Sequence, residues 1–132
     1  RILDSLDVSF AEFFSADDFD DEKYFYRNDE LSKISSGPIS YMQVGSDLSK
    51  SDLQILYERY RPGADTGQSM LSHNAEEGGI VLQGRLEVTV GEQVQTLLAG
   101  DAYRFNSSLP HRFRNTGNED CIIVSACTPP SF

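Results

Sequence analysis

Gly79-Ile80-Val81-Leu82-Gln83-Gly84-Arg85-Leu86-Glu87-Val88-Thr89-Val90-Gly91-Glu92-Gln93-Val94-Gln95-Thr96-Leu97-Leu98 is the stretch whose reading decides the fold. Leu86, Val88 and Val90 alternate with Arg85, Glu87 and Thr89, so a strand here buries one face and wets the other. Gly84 and the pair Gly91-Glu92 interrupt the pattern at the spacing of strand-to-strand turns. Outward from this stretch the same grammar repeats in short runs at Leu53 to Tyr60, Tyr103 to Phe105, His111 to Asn115 and Cys121 to Cys127, with Pro38 to Val44 and the aromatic Lys23 to Arg27 before them. Short strands separated by turn residues, with no long helix between them, predict an all-β sandwich or barrel.

Charge and cysteines narrow the class of function. The 132 residues suffice for one ordinary domain and its tail. A formal charge of -10 repels phosphate backbones, so these residues do not themselves hold nucleic acid. The acidity suits a cationic ligand and equally suits plain solubility. No apolar stretch has the length to cross a bilayer as a helix. Cys121 and Cys127 share one face of an extended run and lie too far apart along it to bridge, and free thiols fit a reducing cytoplasm.

The chain has two histidines, both beside turns of the β region. His73 is followed after three residues by Glu77 and after six more by Gly84. Gly100 is followed by Asp101 and, with ten residues between, by His111, then by Asn115 after three more. These two blocks resemble the two motifs of the cupins, in the right order and at an ordinary separation. The resemblance implies a cupin barrel, a double-stranded β-helix of jelly-roll type, in which these side chains point inward from adjacent strands toward a divalent metal. Asn106 and Ser108 stand where a proline and a glycine are common, and Leu71 replaces the first histidine of the usual pair. What remains, His73, Glu77 and His111, is two imidazoles and a carboxylate, a set that suits Zn, Ni, Mn or Fe with open positions. The other reading is a metal-free barrel in which the three bind each other or an organic effector. Tyr57 and Phe113, with Tyr103 and Phe105, are read as sharing an inward parity beside this centre, and Arg59 and Gln68 are read as further polar contacts.

A closer resemblance covers nearly all of residues 53 to 132. Tyr60 to Thr66, Ser72-His73-Asn74-Ala75-Glu76-Glu77, Gly79 to Gly84, and Ser107 through Asn115 to Thr128-Pro129-Pro130-Ser131-Phe132 look like the C-terminal sensor domain of Xre-family helix-turn-helix regulators related to the putrescine-utilisation repressor. Residues 1 to 14 carry the apolar pattern Ile2, Leu3, Leu6, Val8, Phe10, Phe13 and Phe14, with Ser9 and Glu12 at capping-box spacing, and read as short amphipathic helices. They either pack on the barrel or, as the resemblance implies, end a helix-turn-helix domain. Residues 15 to 29 begin with the acidic run Asp17 to Glu22 and read as a linker, leaving 30 to 132 as the cupin domain.

The function implied is a cytoplasmic homodimer whose barrel binds a small effector, a polyamine or an amino-acid derivative, and which meets DNA only through the N-terminal domain. The alternative is a small metal-dependent cupin enzyme, a dioxygenase, isomerase or lyase. The reading frame upstream of Arg1 discriminates them. On the regulator reading it encodes about seventy residues of basic, helix-turn-helix character, whereas a natural start close to Arg1 favours the enzyme.

Overall fold

Residues 23–67 and 74–130 are described in a computed structural model. The helices expected at 1 to 14 and the acidic run to Glu22 lie outside them. The chain divides into two compact units, Arg1–Glu30 and Leu31–Phe132. In the first, the strand expected at Lys23 to Arg27 does not form. These residues run without regular structure into a 3-10 turn at Asn28–Glu30. Glu30 accepts from the Arg27 backbone N–H at 2.7 Å and pairs with Lys23 at 2.5 Å, while Tyr24 and Phe25 are exposed. The aromatic run thus has strand composition, but a local side-chain contact to the backbone closes it as a turn.

The second unit is all β, the class expected from sequence. Its strands are β1 (Ser32–Ser35), β2 (Ile39–Gln43), β3 (Gln54–Tyr60), β4 (Glu76–Gln83), β5 (Arg85–Val90), β6 (Gln93–Leu98), β7 (Ala102–Asn106), β8 (His111–Arg114) and β9 (Cys121–Thr128). They form a six-stranded sheet in the order β1-β2-β3-β9-β4-β7 and a three-stranded sheet in the order β6-β5-β8, with every pair antiparallel. The last strand, β9, lies between β3 and β4, the non-sequential pairing of a jelly roll. One buried cluster draws on both sheets, with Tyr60, Val81, Cys121 and Ile123 from the larger and Leu86, Val88 and Phe113 from the smaller.

Register places the inner face of the larger sheet in rows. Tyr60 pairs with Cys121, and Ile39 with Tyr60. The next row is Tyr41, Glu58, Ile123 and Val81, followed by Gln43, Leu56, Ser125, Gly79 and Tyr103. The last is Gln54, Cys127, Glu77 and Phe105. On the outer face an apolar row of Met42, Tyr57, Val124, Ile80 and Ala102 crosses five strands.

Gly84 is the whole connection between β4 and β5, where the chain leaves one sheet for the other. It has a φ of 76°, and a Cβ there would stand 2.8 Å from the Asp120 carbonyl oxygen, so conformation and space both require glycine. Asn115 locks the same end of the barrel. Its Nδ2 donates to the carbonyls of Tyr60 and Glu119, each at 2.9 Å, and its Oδ1 accepts from the Gly117 N–H at 2.8 Å. Its own backbone N–H and C=O are satisfied by Ala64 and Gly63. The side chain is 1% exposed, so no water replaces these bonds when it is removed. Asn115→Ala is expected to lower unfolding free energy by about 2–3 kcal/mol, since it orphans buried backbone groups. Urea denaturation measures this, and a loss below about 0.5 kcal/mol would contradict the clip.

Candidate functional site

The polar end of the inner face opens into a cavity of about 230 Å³, lined by Tyr41, Gln54, Leu56, Glu58, Tyr60, Thr66, Glu77, His111, Phe113, Ser125, Ala126 and Cys127. Glu77, Glu58 and Ser125 come from β4, β3 and β9 of one sheet, while His111 and Phe113 come from β8 of the other. The two sheets therefore face each other across the cavity.

His111 is buried, and its Nδ1 lies 2.7 Å from the Leu109 carbonyl oxygen. A carbonyl only accepts, so Nδ1 carries the proton and Nε2 is left to face the carboxylate of Glu77. The gap from Nε2 to Glu77 Oε2 is 4.0 Å, the reach of an ion pair and too long for a hydrogen bond. Burial raises the carboxyl pKa of Glu77 above its ordinary value, and the His111 charge partly opposes that. A fixed imidazole beside a carboxylate is two of the three metal-binding groups expected from sequence, with the Leu109 carbonyl as the orienting outer partner. Among the described residues no group of three His, Cys, Asp or Glu is gathered to hold a metal. His73, the third member expected from sequence, lies outside the described residues, as do Gln68 and Leu71.

Phe113 lines the cavity as expected and packs against Tyr103 with ring centroids 5.1 Å apart. Tyr57 and Arg59 do not face it. The buried positions of β3 are Gln54, Leu56, Glu58 and Tyr60, and the strand period of two turns Tyr57 and Arg59 to the outer face. Arg59 instead pairs with Asp120 at 3.0 Å. The parity assigned to Tyr57 from sequence was displaced by one residue.

That same parity brings in residues the sequence reading passed over. Glu58 is 5% exposed and accepts hydrogen bonds from the hydroxyls of Tyr60, at 3.0 Å, and Ser125. A further hydrogen bond joins the phenols of Tyr41 and Tyr60. Burial pushes the Glu58 carboxyl up to about 7, with Glu77 adding to it and the two hydroxyl bonds opposing. Tyr41 is pushed up to about 12 by burial and then by Glu58, so its phenol stays neutral. Tyr103 is held well above its usual range by burial and by Glu58, and its ring lies across Gly79, where a Cβ would stand 2.6 Å from the phenol oxygen. The Cys121 thiol, raised to about 11 chiefly by burial, remains an unreactive core group.

The Glu58 shift fixes the sense of a pH dependence. Between 4.5 and about 7 the folded chain holds a proton that the unfolded chain has lost. This contribution to stability is complete below 4.5, fades as pH rises through 7 and is gone above it. Glu58→Gln, which needs no proton, is expected to remove a loss on the order of 3 kcal/mol between pH 5 and pH 8. Urea midpoints at the two pH values test this, and parallel behaviour of the two proteins would contradict it.

Comparison with known proteins agrees with this architecture. The chain matches the Cupin_2 family, described as a cupin domain, over residues 56–127. The HTH-type transcriptional regulator PuuR of Escherichia coli strain K12 is 35% identical over 133 aligned positions, covering 100% of this chain and 71% of the regulator. Solved structures that share the fold include two of note. One is the Cupin_2 domain of an XRE family transcriptional regulator from Enterobacter cloacae, with a TM-score of 0.64 at 20% identity, covering 72% of this chain and 100% of that one. The other is a predicted oxalate decarboxylase from Thermotoga maritima, with a TM-score of 0.69 at 19% identity, covering 81% and 100% respectively. The chain belongs to the cupin domain family and is a relative of the HTH-type transcriptional regulator PuuR.

Proposed function

We propose that the barrel is the effector-sensing part of a cytoplasmic transcriptional regulator and that a small molecule, a polyamine or an amino-acid derivative, binds against Glu77 and His111. The observation that carries this reading is the facing pair itself, a buried imidazole and a carboxylate 4.0 Å apart on opposite sheets of one internal cavity. The cavity volume falls below the range of about 300–1,000 Å³ usual for drug-sized ligands, which favours a small effector. Kinship with a regulator supports sensing over catalysis.

His73 completes the site in this reading, and a divalent ion held by His73, Glu77 and His111 would supply a Lewis acid for an anionic group of the effector. Without the ion the same residues bind the effector directly. Because Glu77 and His111 belong to different sheets, an occupant that contacts both changes how the two sheets meet. The apolar outer row of Met42, Tyr57, Val124 and Ile80 supports a homodimer contact on the larger sheet, by which such a movement reaches two DNA-binding domains and their half-sites. DNA contact belongs to the domain N-terminal to the barrel.

A metal-dependent cupin enzyme is the second reading, favoured by the fold shared with a predicted oxalate decarboxylase. It requires a ligand set larger than Glu77 and His111. The regulator reading is tested in the full-length protein. Glu77→Gln is expected to reduce the effector response of operator binding by at least about tenfold, the scale of one charge-assisted bond, while affinity for the operator without effector is unchanged. A response that survives Glu77→Gln combined with His73→Ala and His111→Ala would overturn the assignment. Chelation followed by metal analysis separates the metal-dependent form of the reading from the metal-free form.

A further inference from the structure

Glu58 is not used by the site at Glu77 and His111, yet it lines the same cavity. In the row register its partner on β9 is Ile123, four residues from Cys127, the partner of Glu77. The two carboxylate-bearing residues are therefore separated by two strand spacings across the sheet and four residues along it. That amounts to about 16 Å between Cα atoms, with both side chains pointing inward. The cavity thus has one acidic group toward each end.

No lysine or arginine is among the described residues lining it. Among the described residues the hydrogen-bond partners of Glu58 are hydroxyls, from Tyr60 and Ser125, one on each carboxylate oxygen, and each oxygen keeps a second lone-pair direction. The titratable groups around it are Tyr41 on β2, Tyr60 on β3, Glu77 on β4, Tyr103 on β7, His111 on β8 and Cys121 on β9. Of these only His111 is able to carry positive charge, and it faces Glu77.

A glutamine would satisfy two hydroxyls at lower cost, since burying a carboxylate without a cation is unfavourable. An ionisable group kept there, between neutral phenols whose faces also attract cations, matches a ligand that brings the missing charge. Resting on the sensor reading above, we propose that Glu58, with the hydroxyls of Tyr60 and Ser125, is a second anchoring point that receives an ammonium group of the effector and makes the pocket selective for amines over uncharged molecules of the same length. The carboxylic acid form of Glu58 gives its proton to solvent as the ammonium arrives, leaving a carboxylate–ammonium pair, so binding and proton release are coupled.

Isothermal titration of the full chain with 1,4-diaminobutane and with 1,4-butanediol at pH 6.5, in buffers of different ionisation enthalpy, tests this. The diamine is expected to bind at least about tenfold more tightly than the diol and to release a proton. In Glu58→Gln the preference and the proton release both disappear, whereas Glu58→Asp retains the preference. Glu58→Gln removes a buried charge and is expected to fold at least as stably, which thermal melting verifies. Diamine affinity within twofold of the original in Glu58→Gln, or no diamine binding to the unaltered chain, overturns the proposal. If the unaltered regulator answers a different effector through Glu77 and ignores Glu58→Gln, the sensor reading stands and only the Glu58 assignment falls.

Discussion

The position of β9 between β3 and β4 is the constraint on which the rest of the structure depends. It closes the six-stranded sheet and fixes the register of both neighbours. Its inner residues run from Cys121 and Ile123, which are wholly buried, to Ser125 and Cys127 at the cavity. The barrel interior therefore grades from a dry end into a polar one along a single strand. Leu86, Val88 and Phe113 of the facing sheet complete the dry end, and His111 faces Glu77 at the other.

Glu58 lies where this gradient changes. Its row neighbours Tyr41, Ile123 and Val81 are those of a core, yet its carboxylate reaches the cavity. Burial without a cation drives its pKa upward, and the same burial would strengthen any ammonium contact made there. Glu77 differs in kind, because an imidazole already faces it. Among the described residues the two carboxylates thus have different surroundings in one cavity, one beside a fixed histidine and the other bonded to hydroxyls.

Much of this was legible in the sequence because it rests on local rules. The alternation at Leu86, Val88 and Val90 set the class of the fold, and glycine at 84 marked the passage between the sheets, where φ is positive and backbone approaches closely. Glu77 and His111 were found through motif spacing and Phe113 through strand parity, and all three line the cavity. The misreadings came where composition outran context. Lys23 to Arg27 has aromatic strand character but closes on Glu30, and Ser32–Ser35 forms a strand with no apolar pattern to announce it. Every residue of β3 pairs with β9, and parity there is settled by which side chains the facing sheet buries, so Tyr57 and Arg59 were assigned to the wrong face and Glu58 was overlooked. Leu56 and Tyr60 flank Glu58 at two-residue steps, and counting inward from them would have found it.

The central claim is that the cavity is organised around a buried carboxylate with no cationic partner among the described residues. Its most direct test is the titration of the Glu58 side-chain carboxyl carbon by NMR, with and without 1,4-diaminobutane. The account predicts a midpoint of about 7 for the free protein, falling toward the ordinary carboxylate range when the diamine is bound. A Glu58 that already titrates in the ordinary range in the free protein, and does not respond to the diamine, would contradict it.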